Sequence, residues 1–404
     1  MSNLKIRPDF AYFRLIGYPG LFLRVINNKV ISRISISIYF FVSGLVFSTW
    51  ASRIPFVKDR YELNEAELGG LLFMLPMGAL IALPFAGWLV HHFGSKKIAV
   101  TSLVIYAVLL LAIAVNMKIF WLSGVLFGFG IVGNLCNISM NAQGLAIQEQ
   151  LNKPILSGLH AMWSLGAFSA AAITGLLEHT HMTIHFLIIS VLTLSAAVIF
   201  SFFMIRDVSG SGEQQKIFVL PNRGLILLGV ICFCVAMSEG AMSDWSSLYY
   251  RQVLNALTSS TTAGYTSFAF CMALGRFTGD RFIHAFGHAR VLKMNGIMIA
   301  VGMTISLLIQ HPVWVIIGFA CVGFGVSSVI PIVYMLAAKS KSMPPAVALS
   351  AVSSVGFTGF LVGPPIIGFV AQVLGLRTAL IILVMLGMMI WILSFKARSD
   401  RSVE

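Results

Sequence analysis

A chain of 404 residues that is 58% apolar, only 10% charged and of mean hydropathy +0.91 is excluded from the soluble folds. It reads as a polytopic membrane protein, because spanning helices turn apolar side chains to lipid and satisfy their own backbone. The net charge of +13 could suit a nucleic acid, but the placement of the basic residues points to topology instead.

Residues 1–33 form a basic cytoplasmic tail, with Phe10, Tyr12, Phe13 and Phe22 among Arg14, Arg24 and Lys29. This mixture suits either an amphipathic helix on an anionic leaflet or a disordered leader. Twelve apolar stretches follow, near 34–52, 68–90, 98–116, 119–142, 156–177, 184–205, 224–246, 260–283, 291–310, 312–336, 346–372 and 376–396. They predict an all-α membrane protein with a six-helix half over 34–205, a polar linker at 206–223 and a second half over 224–396. Residues 397–404 are a second cytoplasmic tail. Lys96, Lys97, Arg206, Arg223, Arg290, Lys293, Lys339, Lys341, Lys396 and Arg398 fall on one side of this arrangement. Arg53, Lys58, Arg60, Lys118, Arg251 and Arg377 fall on the other. The richer side is cytoplasmic by the positive-inside bias, which places both termini inside. The first apolar span is too long for a cleavable signal peptide and should remain as an anchor. All five cysteines (Cys136, Cys232, Cys234, Cys271 and Cys321) lie in spans, so no disulfide framework is expected.

The two halves echo each other. The loop after the second span reads Gly87-Trp-Leu-Val-His-His-Phe-Gly94-Ser-Lys-Lys97, and that after the eighth reads Asp280-Arg-Phe-Ile-His-Ala-Phe-Gly287-His-Ala-Arg290. Gly94 and Gly287 are 193 residues apart, each with His at minus three and Phe at minus one. Ser164-Leu-Gly166-Ala-Phe168 returns as Ser354-Val-Gly356-Phe357, at an offset of 190. Duplicated halves enclose a site near the bilayer midplane, reached from alternate sides by rocking.

On these loops the chain resembles the major facilitator superfamily from about residue 34 onward. Further matching segments are Ser52-Arg-Ile-Pro55, Met140-Asn-Ala-Gln-Gly144, His160-Ala-Met-Trp-Ser-Leu-Gly166, Ser238-Glu-Gly240 with Asp244-Trp245, Gly275-Arg-Phe-Thr-Gly-Asp280 and Gly363-Pro-Pro365. They are similar to a bacterial inner-membrane branch distantly related to sugar–proton symporters, whose members mostly lack an assigned substrate. The resemblance implies twelve helices in two pseudo-symmetric halves, and a loop signature that helps hold the outward-open state. The first loop departs from that signature: His91 stands at the acid position and Ser95 at a usual arginine.

Ionisable groups inside a bilayer cost roughly 2.5–3.5 kcal/mol each on insertion scales, so they are functional candidates by default. Glu239, in the seventh span, is the proton-coupling candidate, with a hydrogen-bonded Glu beside a helix break at Gly240 as the alternative. Asp244 lies about 140° further round the same helix, so the two are not a simple carboxylate pair. It is expected to meet a gate partner such as Arg53 or Arg251. Asn134, Asn137 and Asn141 recur at helical spacing on the fourth span, with Gln143 after them, and read as a cavity wall or as interhelical glue. His160 and Trp163, one turn apart, offer a surface for a sugar or aromatic ring, or a gate. Arg276 and Asp280, four apart, are read as a latch along one helix face. Gly94, Gly287, Pro364 and Pro365 are gating candidates, the prolines as a break in the eleventh span that frees carbonyls toward the cavity. His179, His181 and His185 fall together in an outer loop, and solvation outweighs metal binding there.

No phosphate-binding loop, metal motif or nucleophile elbow is present, so no enzyme activity, cofactor or metal is expected. The reading is a monomeric secondary transporter working by alternating access on the proton gradient, a single candidate carboxylate leaving the stoichiometry open. Its partners would be the bilayer, protons and a small polar or weakly acidic solute such as a sugar derivative. A proton-driven exporter of lipophilic drugs and a non-transporting receptor of the same fold stay open as alternatives.

Overall fold

The computed structural model describes residues 19–205, 223–253, 261–340 and 343–399. Phe10, Tyr12, Phe13 and Arg14 of the tail, the linker 206–222 and Lys341 lie outside the described residues.

The first half contains α1 (Pro19–Ser52), the short α2 (Ile54–Arg60), α3 (Glu65–Phe93), α4 (Ser95–Ala114), α5 (Ile119–Leu151), α6 (Leu156–Leu176) and α7 (Met182–Ser201). The second contains α8 (Arg223–Val253), α9 (Ala263–Phe286), α10 (His288–Leu308), α11 (Pro312–Val326), α12 (Val329–Ala338), α13 (Pro345–Leu374), α14 (Leu376–Ala379) and α15 (Ile381–Ser399). Eleven spans among the described residues, one of them α11 with α12, are long and apolar enough to cross a bilayer. Helix α9 has the length, at 24 residues, but carries Arg276, Asp280 and Arg281.

The sequence repeat reappears as a packing repeat. Helices α1 and α6 pack together as α8 and α13 do, α3 on α5 as α9 on α11, and α4 on α7 as α10 on α15. Small residues bring these backbones into contact. A Cβ at Gly44 would overlap the Trp163 carbonyl, one at Gly166 that of Phe41, and one at Gly323 that of Phe268. The halves meet through α6 on α9 and α3 on α13, two contacts that are mates under the same repeat. Gly94 and Gly287 end α3 and α9 with φ of 85° and 77° and ψ of 144° and 156°. Only glycine enters that region without strain. They mark one end of the bundle, called the Gly94 face below. Arg53 and Arg251 mark the opposite end, the Arg53 face.

Three boundaries differ from expectation. Helix α1 begins at Pro19 rather than near 34. Lys29 Nζ donates to the Gln150 carbonyl at 3.0 Å, and the Ser32 and Ser35 hydroxyls to those of Phe203 and Phe200 at 2.8 and 2.6 Å. Docking of this kind carries a helix beyond its apolar stretch. Helix α13 runs unbroken through Pro364 and Pro365. The prolines still deprive the carbonyls four residues earlier of their donors. They lie where α13 presses on α3: a Cβ at Gly69 would come within 2.7 Å of the Pro364 carbonyl. The interruption falls instead in the tenth span, at Ser327-Ser328. There Ser327 Oγ donates back to the Phe324 carbonyl at 2.6 Å and Ser328 Oγ accepts from Asn295 at 2.8 Å. Both hydroxyls offer the chain bonds outside the helical ladder.

Candidate functional site

The polar centre of the molecule is built by three helices from both halves. Arg276 on α9 donates from Nη2 to Glu239 Oε1 on α8 at 3.1 Å, and from Nη1 to Ser164 Oγ on α6 at 2.7 Å. The two charged side chains are 14% and 11% exposed. A guanidinium in such surroundings needs both a counter-charge and further acceptors, and here it has one of each. Arg276 thus turns to Glu239 and Ser164, and the expected latch with Asp280 is not formed: Asp280 is exposed, one turn toward the Gly94 face. With only 14% of the Arg276 side chain exposed, a buried carboxylate on a neighbouring helix prevails over an exposed one on its own.

Next to this pair runs a row of amides and an imidazole. Asn141 Nδ2 donates to Asn137 Oδ1 at 2.7 Å and to the Asn137 carbonyl at 2.9 Å. Its amide oxygen faces His160 Nε2 at 3.2 Å, which makes that nitrogen the donor. Phe40 meets the His160 ring edge-on at 5.3 Å, and Trp163 lies 5.7 Å from Phe47. His160 and Asn137 are exposed, whereas Asn134 buries an amide oxygen without a partner. Gln143 departs from the row. It is buried and donates to Ser95 Oγ at 2.8 Å and to the Ile205 carbonyl at 3.1 Å, which fixes the packing of the first half.

Toward the Arg53 face the halves are bonded together. Ser48 Oγ donates to Tyr265 Oη at 2.8 Å, and the Glu65 backbone N–H to Gln372 Oε1 at 3.1 Å. Arg251 grips Asp59 with two bonds of 2.7 Å. Arg53 is 1% exposed and donates to the carbonyls of Leu177 at 2.7 Å and Glu178 at 3.3 Å, with Nε 3.4 Å from His185 Nδ1. Asp244 therefore meets neither expected gate partner. Arg251 is taken by Asp59 and Arg53 by the loop between α6 and α7, and among the described residues Asp244 has no ion pair. Glu178, in that loop, buries its carboxylate to 4% exposure. Burial raises it above the ordinary carboxylate range, and Thr261, His179, Arg53 and Arg251 pull it part of the way back.

Sequence reasoning missed Ser164, Tyr265, Asp59 and Glu178. Ser164 had a signal, since it opens one of the repeated segments. Asp59 lies in the short helix α2 and Glu178 in the loop after α6, their partners come from other elements, and neither has a local pattern to reveal it. Among the described residues no group of three or more His, Cys, Asp or Glu is placed to hold a metal ion.

Comparison with known proteins agrees with this architecture. The profile of the Major Facilitator Superfamily matches residues 36–346. The membrane protein MosC of Rhizobium meliloti is 32% identical over 369 residues, covering 90% of this chain and 89% of that protein. The cis,cis-muconate transport protein of Acinetobacter baylyi is 22% identical, with coverage of 78% and 81%. The crystal structure of a point mutant of the nucleoside transporter NupG superposes with a TM-score of 0.73 at 11% identity, covering 91% of this chain and 99% of that one.

Proposed function

This chain belongs to the Major Facilitator Superfamily, and from that premise we propose a proton-coupled transporter of a small polar solute, seated in a bacterial inner membrane and working by alternating access. The observation that carries the reading is the intramembrane ion pair of Glu239 with Arg276, tied across the halves to Ser164. Glu239 is the proton-carrying group. Protonation releases Arg276 from one of its two partners, and Ser164 then rests against a guanidinium whose balance has changed. A switch at the seam between the halves couples proton binding to their rocking.

The Gly94 face is assigned to the cytoplasm on the strength of its basic residues. Two of its lysines lie over aromatic rings, Lys97 Nζ 5.4 Å above Phe93 and Lys293 Nζ 3.5 Å above Phe395. Inter-half bonds on the Arg53 face, with His160, Asn137 and Asp280 exposed on the other side of the ion pair, correspond to an inward-facing state. In that state the solute lies between the Asn137–Asn141–His160 row and the ion pair. Relatives named for a nucleoside and for muconate favour a small, hydrogen-bonding solute.

The test is uptake into proteoliposomes from a panel of sugars, organic acids, nucleosides and lipophilic cations, with and without an inward proton gradient. Proton-driven accumulation of one hydrophilic class, lost in Glu239→Gln while solute exchange at equilibrium persists, is the expected result. Accumulation that survives Glu239→Gln, or movement of lipophilic cations alone, would overturn it.

A further inference from the structure

The central ion pair also constrains the solute, given the proton-coupled reading above. Two of the five guanidinium N–H donors of Arg276 are bonded as described, on Ser164 and Glu239, and its side chain stays 14% exposed. The other titratable groups acting around the pair are Cys232 on the Glu239 helix, Tyr265 on α9 and His160 on α6. None of these three is an anion poised to take over from Glu239, and Asp280, one turn along α9, is exposed and makes no ion pair among the described residues. Asp244 is the remaining intramembrane carboxylate of α8, and it lies about 140° away around the helix.

With Glu239 ionised, the pair is neutral as a unit and tolerable in a bilayer. Once Glu239 has accepted a proton, Arg276 is left without its counter-charge at mid-membrane, a state that is strongly unfavourable. A neutral solute cannot relieve it. An anionic group can, by occupying the side of the guanidinium fork that the carboxylate has left.

We propose that the solute carries one anionic group, a carboxylate, which replaces Glu239 on Arg276 when Glu239 is protonated, while Asn137, Asn141 and His160 bind its uncharged polar groups. The proton moves onto a Glu239 carboxylate oxygen, the Glu239–Arg276 ion pair opens and an Arg276–solute ion pair forms. The proton adds one positive charge and the solute one negative, so the loaded and empty carriers have equal charge. The loaded carrier can then rock, and the half-loaded one is held back. Coupling follows from charge balance alone, and the transport cycle is electroneutral.

The first experiment needs no knowledge of the solute. Glu239→Gln fixes the uncompensated state, and acetate is the probe. Millimolar acetate, against acetamide at matched ionic strength, should raise the thermal stability and the recovery of folded Glu239→Gln. It should do neither for the double variant Glu239→Gln/Arg276→Gln. Equal behaviour in acetate and acetamide overturns the proposal. The second experiment follows lumenal pH and membrane current in wild-type proteoliposomes given sugar acids, each matched with its parent sugar. Acids should be taken up with lumenal acidification and little current, at least tenfold better than the neutral partners. A neutral sugar carried with a proton-dependent current overturns the anionic solute and leaves proton coupling standing. Uptake of an acid without any pH change removes proton coupling itself.

Discussion

Replacing Asp59 with Asn should loosen the closed Arg53 face by a measurable amount. Arg251 holds Asp59 with two bonds of 2.7 Å and adds a third to the Pro55 carbonyl at 3.3 Å, so one side chain of the second half grips two residues of the first. The geometry is bidentate, but Asp59 is 59% exposed against 17% for Arg251, so solvent screening limits its worth. An exposed pair of this kind contributes about 1 kcal/mol. At 1.4 kcal/mol per tenfold, its loss shifts the equilibrium between closed and open Arg53 faces by about fivefold. Ser48 with Tyr265 and Glu65 with Gln372 keep their bonds, so the face should open more often rather than stay open. Spin labels at Asn116 and Gln310, exposed residues beyond α4 and α10 on this face, would report it through double electron–electron resonance in a cysteine-depleted background. The long-distance population should rise about fivefold in Asp59→Asn, and the exchange Asp59→Arg/Arg251→Asp should return it toward wild type. High salt, with a Debye length of about 3 Å at 1 M, should move the wild type toward the variant. Identical distance distributions in wild type, Asp59→Asn and 1 M salt would refute a latch here.

Three further outcomes follow from the same structure. Burial raises the Glu178 carboxyl above its ordinary value, so its contribution to stability is greatest at low pH and is lost as pH rises through the raised value. Glu178→Gln should therefore gain thermal stability relative to wild type between pH 5 and pH 8, and parallel profiles would contradict this. Gly94→Ala and Gly287→Ala should each cost about 1–3 kcal/mol, because both glycines have φ near 80° with extended ψ. Gly87→Ala has open space and a helical backbone, so its melting temperature should not fall, and a drop matching that of Gly94→Ala would disprove the backbone account. Glu239→Ala, which strands Arg276, should lose about 3–5 kcal/mol. Glu239→Gln/Arg276→Gln should recover much of that in thermal unfolding, and a double variant as unstable as the single one would show that packing dominates.

The fold was legible because hydropathy and the repeat act along the chain. Twelve apolar stretches separated by basic or polar loops leave few architectures, and Gly94 with Gly287 announced the duplication that the packing displays. Glu239 and the Asn137–Asn141 row were legible for the related reason that polar groups stand out against an apolar helix. The pairings were not. Arg276 and Asp280 sit at an ideal local spacing, yet Arg276 takes Glu239 and Ser164 from other helices. Arg53 and Asp244 carry opposite charge at the same end of the bundle, yet Arg53 is satisfied by carbonyls and by His185. Partner choice depends on which helices cross and at what depth. A single sequence holds that information only in small residues such as Gly44, Gly166 and Gly323, whose role emerges once the helices are placed.

Helices α3 and α13 meet at Gly69 and Gly368, where a Cβ on Gly368 would lie 2.9 Å from the Gly69 Cα and 2.7 Å from the Glu65 carbonyl. Here backbone lies on backbone, and the Gln372 side chain accepts from the Glu65 N–H alongside. Interdigitated surfaces must change rotamers before they separate, and each rearrangement adds to a barrier. Two bare stretches of main chain can part and meet again with every side chain still in its well. Under the proposed rocking this contact would act as a bearing beside the Glu65–Gln372 bond, adding little friction of its own to the cycle.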